Sequence, residues 1–182
     1  MARDYASYLE KGAQVVSVVI DKPAQNAAMA EKLALPFPVL SDPDGTIVIT
    51  PFDVWDGKGR MSKAATIVLA QGGREVYRYV GVDFADRPVH EEALSASLGL
   101  ALSPIEERVI VVPTAGAEAG PRALTISELS LYMRGVRSST DALSARMRDD
   151  WDRAECERTT KMAEQYIAAL AETERVVNRA AT

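Results

Sequence analysis

The sequence predicts an α/β domain built on a mixed sheet, followed by a separate α-helical hairpin. Three observations carry this reading. Residues 65–80 (ATIVLAQGGREVYRYV) hold a β-branched apolar run, a Gln71-Gly72-Gly73 reversal and a returning alternating run, which is the pattern of a β-hairpin. Residues 15–20 (VVSVVI) read as a second buried strand, and helical patterns flank it, so strands and helices alternate over the first hundred residues. Beyond residue 124 apolar residues recur at alternating steps of four and three, a stripe that needs a partner surface.

A chain of 182 residues is long enough for one good core with an appendage. A hydrophobic fraction of 47% argues against wholesale disorder, and a net charge of −5 offers no basic field for nucleic acid. No apolar run reaches the length of a membrane span, and the start lacks a basic–apolar–small leader pattern, so a cytoplasmic protein with no membrane partner is expected. The single cysteine excludes an internal disulfide, a CxxC pair and a cysteine-rich metal site. The single histidine leaves too few ligands for a histidine zinc site or triad, and no metal or cofactor is expected.

In chain order, residues 2–10 read as a helix with Tyr5, Leu9 and Ala6 on one face, stopped by Lys11-Gly12. The strand at 15–20 follows, and Asp21-Lys22-Pro23 starts a helix over 23–33 patterned on Ala27, Ala30 and Leu33. Prolines 36 and 38 make 35–40 extended, and residues 41–45 (SDPDG) are a turn. Residues 46–50 (TIVIT) suit either a strand or a short helix. Residues 51–62 read as a polar loop carrying Trp55, and a helix is expected over 89–98 after the hairpin. A linker spans 101–123, with one strand-like run at 109–112 (VIVV), which leaves domains at 1–100 and 124–182. Thr125-Ile126-Ser127-Glu128 is a capping box opening the first long helix. Its stripe is Leu129, Met133, Val136, Thr140, Leu143 and Met147. A second helix after Asp149-Asp150 carries Cys156, Thr159, Ala163, Tyr166, Leu170, Thr173 and Val177.

The runs GAQVVSVVIDKPAQNAAMAEKLALPFPVLSDPDG and WDGKGRMSKAATIVLAQGGREVYRYVGVDFADRP resemble the peroxiredoxin family of alkyl hydroperoxide reductase and thiol-specific antioxidant proteins. The bacterioferritin-comigratory branch is the most similar, and the likeness spans roughly residues 3–100. The resemblance implies a thioredoxin-like fold, thiol-dependent antioxidant or oxidoreductase activity, and a thiol reductant protein as partner. The family's chemistry needs a peroxidatic cysteine at the start of its first long helix, where the helix N-terminus and an arginine favour the thiolate. No cysteine stands there in this chain. The family's basic residue before the hairpin falls at Lys63 or Arg60, and its strand-opening proline falls at Ala64.

The resemblance also implies a thioredoxin-like mixed sheet lacking its first strand, since that strand would lie between residues 15–20 and 66–70. Four candidates could fill the slot: residues 109–112, residues 46–50, a second chain, or residues upstream of Met1. Direct pairing of the two flanking strands is favoured over insertion, because a linker threading between formed strands is a topology that folds avoid.

The remaining polar residues weigh against this background. Cys156 sits on an apolar helical stripe between Glu155 and Glu157, whose charges disfavour a thiolate, so it reads as structural. His90 reads as a solvated first-turn residue. Asp42, Asp44, Asp53 and Asp56 faintly suggest a cation site but match no EF-hand spacing, and turn chemistry explains Asp42 and Asp44 better. Trp55 with Phe52 reads as a core plug. The weak catalytic candidates are therefore Lys63, Arg60 and Cys156. The expected function is a peroxiredoxin-like protein inactive as written. The alternative is a non-catalytic scaffold whose C-terminal helices mediate assembly, with a homodimer through those helices as the partner. A third reading places a catalytic segment upstream in the complete gene.

Overall fold

A computed structural model of the chain describes residues 2, 4–82, 86, 90–109 and 115–180, with the side chains of residues 90 and 180 excepted. It divides into two compact units, residues 1–31 with 35–119, and residues 32–34 with 120–182.

In the first unit, helix α1 (Tyr5–Glu10) buries Tyr5 and Tyr8. Tyr8 takes the place expected of Ala6, which is exposed, because a spacing of three carries the larger apolar surface inward. The helix ends at Lys11, and Gly12 follows with φ +70°. A Cβ on Gly12 would lie 2.5 Å from the Ser103 carbonyl and 2.6 Å from the Leu102 Cβ, so the glycine permits both the turn and a close crossing. Gly12→Val is therefore expected to cost on the order of 2–4 kcal/mol in urea unfolding, combining left-handed strain with overpacking. Gly72 also has positive φ but meets nothing within 4 Å, so Gly72→Ala should cost about 1 kcal/mol only. Equal losses in the two variants would show that residues 102–103 do not press on α1.

Strand β1 (Ser17–Val19) pairs in parallel with β2 (Val39–Ser41), Ser17 opposite Val39. Helix α2 (Pro23–Lys32) makes the crossover, with proline at its first position, where no intrahelical N–H is missed. Residues 46–53 form consecutive hydrogen-bonded turns rather than a strand, held by bonds such as Thr50 N–H to Gly45 O (2.7 Å) and Phe52 N–H to Val48 O (3.0 Å). The physical reason is Asp42. Its carboxylate, on a residue 1% exposed, accepts the N–H groups of Ile47 (3.1 Å), Val48 (2.8 Å) and Ile49 (2.9 Å), which overrides their β propensity. The stretch read as a loop over 51–62 contains two short strands, β3 (Trp55–Asp56) and β4 (Met61–Ser62), paired antiparallel. The Trp55 ring covers Gly45, where a Cβ would meet it at 2.7 Å.

The hairpin forms as β5 (Ala65–Leu69) and β6 (Glu75–Val80), with Ala65 opposite Val80 and an irregularity at Val68/Leu69. Gly72 (φ +82°) and Gly73 (φ +84°) make the reversal. Helix α3 (His90–Leu98) packs on both hairpin strands and buries Ala93, with Ser97 Oγ donating to Ala93 O at 3.0 Å. The core is small: Tyr5, Tyr8, Ile49, Val54 and Ala93. Tyr5 meets Phe37 edge-on at 5.8 Å and accepts from Gln14 Nε2 at 2.7 Å. The segment after α3 follows this unit, with Ile105 N–H on Leu9 O (2.9 Å) and Glu118 N–H on Ala24 O (3.1 Å).

Among the described residues the strands form three separate two-stranded sheets. Direct pairing of residues 15–20 with 66–70 is thus corrected. Each strand has its partner on the other side, β2 for β1 and β6 for β5, and a cavity of about 520 Å³ lies between them. The expectation that both strands are buried on both faces fails with it, since β1 and β5 are half-buried or exposed along their length. Residues 110–112 of the proposed inserted strand lie outside the described residues.

In the second unit Thr125 caps α4 (Ile126–Ser144): Glu128 N–H donates to Thr125 Oγ1 (3.2 Å) and Thr125 N–H donates to Glu128 Oε2 (2.7 Å), the reciprocal bonds of the capping box. Helix α5 (Asp150–Ala180) packs along α4, with the Thr140 and Thr160 hydroxyls 2.9 Å apart. Met133, Met162, Ala163 and Leu170 are buried. The second stripe lies inward as read from the sequence. The first is corrected at Leu143, which is 44% exposed, while Ser144, four residues after Thr140, turns inward.

Candidate functional site

The cavity between β1 and β5 lies where the resemblance would place the missing strand, and its wall can be built from the elements. Helix α1 contributes Tyr8, β4 and the residue after it contribute Ser62 and Lys63, and α3 contributes Ser97. The rest of the lining is mostly apolar, from the facing strands and from Phe37, Ile49 and Val54. Burial, with the Asp4 and Glu91 carboxylates adding to it, pushes the Tyr8 phenol above its ordinary value, so it is a neutral hydroxyl at any physiological pH.

Lys63 is exposed, and its backbone N–H donates to Val54 O at 2.7 Å, which fixes the chain as it enters β5. Arg60 is exposed in the β3–β4 turn with φ +50°. The structure therefore brings Lys63 to the cavity wall, while Arg60 stands in the turn before it. Ala64 occupies the position after Lys63, its carbonyl accepting from Gly81 N–H at 2.7 Å. Cys156 is a half-buried free thiol on α5 of the other unit, with neighbouring Glu155 paired to Arg158. The His90 side chain lies outside the described residues.

Three of the four acidic residues, Asp42, Asp44 and Asp56, accept backbone N–H groups in turns. Burial alone would raise the Asp42 carboxyl, but the N–H groups of Ile49, Val48, Ile47 and Thr46 outweigh it and hold it below the ordinary carboxylate value. Asp44 accepts from Thr46 N–H (3.2 Å) and Asp56 from Lys58 N–H (2.9 Å). Among the described residues no group of three or more His, Cys, Asp or Glu side chains could hold a metal ion, and no helix is long and apolar enough to cross a membrane. Beside the hairpin, Tyr77 donates to Glu92 Oε2 at 2.9 Å, and burial followed by this bond pushes its phenol up to about 12.

Three buried polar residues escaped the sequence reading, Tyr8, Asn26 and Ser97. Asn26 is 2% exposed on α2, and its Nδ2 donates to Ser41 Oγ (2.8 Å) and Leu40 O (3.3 Å), tying the helix to β2. The available signal was its position four residues before Ala30, on the face assigned to the core.

The first unit thus holds a parallel pair crossed over by a helix, an antiparallel hairpin, and a cavity lined by both. Residues 1–76 match the model of the AhpC/TSA family, which is the family whose resemblance the sequence carries. The matched stretch runs from α1 to the second residue of β6. A search of curated proteins finds no match for the chain.

Proposed function

We propose that this chain is a peroxiredoxin-like scaffold without a peroxidatic thiol, and that it does not turn over peroxide as written. One observation carries the reading: the family-matched residues 1–76 contain no cysteine, and the sequence's single thiol, Cys156, stands on α5 of the other unit. Peroxide reduction by this family's route needs a thiolate as nucleophile, and Tyr8, Lys63 and the serines at the cavity cannot be oxidised and regenerated in its place. In this reading Lys63 and Arg60 are surface cations rather than parts of a working site. The sheet lacks a strand between β1 and β5, a reading supported by the cavity that both strands line.

Assembly is the function left to such a chain. The helical pair carries Leu131, Tyr132 and Trp151 exposed, which favours a homodimer through the C-terminal helices. Light scattering on the full chain and on Leu131→Glu/Tyr132→Glu tests this arm. A dimer that becomes monomeric supports it, and a monomer at all concentrations contradicts it. For the catalytic arm, steady-state peroxide consumption with dithiothreitol should equal the no-enzyme rate; consumption lost in Cys156→Ser would overturn the proposal.

A further inference from the structure

Strands β1 and β5 each present one unused edge, and the hydrogen-bond register shows which groups line it. Ser17 N–H donates to Pro38 O (2.9 Å) and Asp42 N–H to Val19 O (2.8 Å), so Ser17 and Val19 turn their backbone polar groups to β2. Those of Val16 and Val18, alternating with them, point the other way. In the hairpin, Gly81 N–H donates to Ala64 O (2.7 Å), which makes Thr66–Tyr79 and Val68–Tyr77 hydrogen-bonded pairs. Ala65 and Ile67 alternate with these and turn their N–H and C=O groups away from β6. Among the described residues nothing pairs with the backbone groups of these four. All four line the same cavity, and Val16, 44% exposed, and Leu69, 41% exposed, stand open at it, so solvent reaches the slot. Two facing rows of alternating donors and acceptors are met in full only by another main chain in extended form.

We propose that this slot binds an extended segment of another protein, about five residues long, with consecutive apolar β-branched side chains. Its main chain pairs with β1 on one side and β5 on the other, joining the two sheets. Successive side chains of a strand point to opposite faces, and the wall is mostly apolar, so both sets are apolar. The chain's own β-branched runs are engaged elsewhere. Residues 15–20 and 65–70 supply the two edges, 46–50 are wound into turns, and Val109 donates its N–H to the Gln14 side chain (3.2 Å) rather than to a strand edge. The proposal rests on the reading that a strand is missing between β1 and β5, but on neither the lack of peroxide turnover nor the helical dimer.

Fluorescence anisotropy of the labelled peptide KTVIVTK, titrated with the full chain, tests it. Saturable one-to-one binding is expected. Two N-methylated forms, one blocked at alternate backbone nitrogens and one at the nitrogens between them, should each bind about tenfold or more weakly, because each loses the donors for one edge. Ile67→Pro removes an N–H that faces the slot and none that faces β6, so it should abolish peptide binding, and its melting curve shows whether it folds. Leu131→Glu/Tyr132→Glu should bind the peptide as the native chain does, so a failed dimer reading leaves this result intact. Absence of saturable binding to the native chain overturns the proposal. Weakening by only one of the two N-methylated forms also overturns it, since the peptide then lies on a single edge, whatever the fate of the proline variant. Dissociation of a native dimer by the peptide would assign the slot to a second copy of this chain and overturn the foreign partner.

Discussion

Ala163→Asp is expected to melt the helical pair, and Leu170→Ala to weaken it by about 2–5 kcal/mol. Ala163 is 0% exposed and Leu170 is buried, both on the α5 stripe, whereas α4 and α5 are otherwise polar helices with little intrinsic reason to stay together. Aspartate at Ala163 would bury an unpaired charge, which costs more than any surface ion pair could return. The spacing-three pairs Arg153–Asp150, Arg158–Glu155 and Arg175–Glu172 are surface pairs of small individual worth. Thermal unfolding followed by far-ultraviolet circular dichroism reads both effects. Native-like melting of Ala163→Asp would show that the stripe is not a packed interface.

The second large effect concerns Asp42. Its carboxyl is held below the ordinary value in the folded chain, so the charged form is favoured by folding. That contribution is complete at neutral pH and is lost as pH falls through the ordinary carboxylate range toward the folded value. Asp42→Asn should lower the melting temperature by on the order of 10 °C at pH 7 and make the melting temperature flatter between about pH 5 and pH 2 than in the native chain. Asparagine keeps one acceptor oxygen for three N–H donors, so the turns at 46–53 loosen rather than vanish. An unchanged acid slope in Asp42→Asn would show that other carboxylates control the acid transition.

What the sequence disclosed depended on how local the signal was. The Gly72-Gly73 reversal with flanking β-branched runs specified the hairpin, and Thr125 with Glu128 specified the start of α4, because each device acts within a few residues. Residues 46–50 stayed ambiguous because two local tendencies compete there, and the winner, Asp42, lies just outside the stretch. The two-residue strands β3 and β4 are too short to show any period. The apolar runs in β1 and β5 imply doubly buried strands only if both neighbours exist, which no pattern within either run reveals. At the candidate site the same limit applied: the missing thiol was legible by simple reading, whereas the buried Asn26 amide has its partners only once α2 and β2 are brought together.

The most direct test of the account is the second-order rate of the Cys156 thiol with hydrogen peroxide, followed by mass spectrometry in the full chain at neutral pH. A structural thiol on a packed helix should react no faster than free cysteine under the same conditions. A rate orders of magnitude above free cysteine, with sulfenic acid forming at Cys156 and returning to thiol under a reductant, would contradict it and make the helical cysteine a working peroxidase nucleophile.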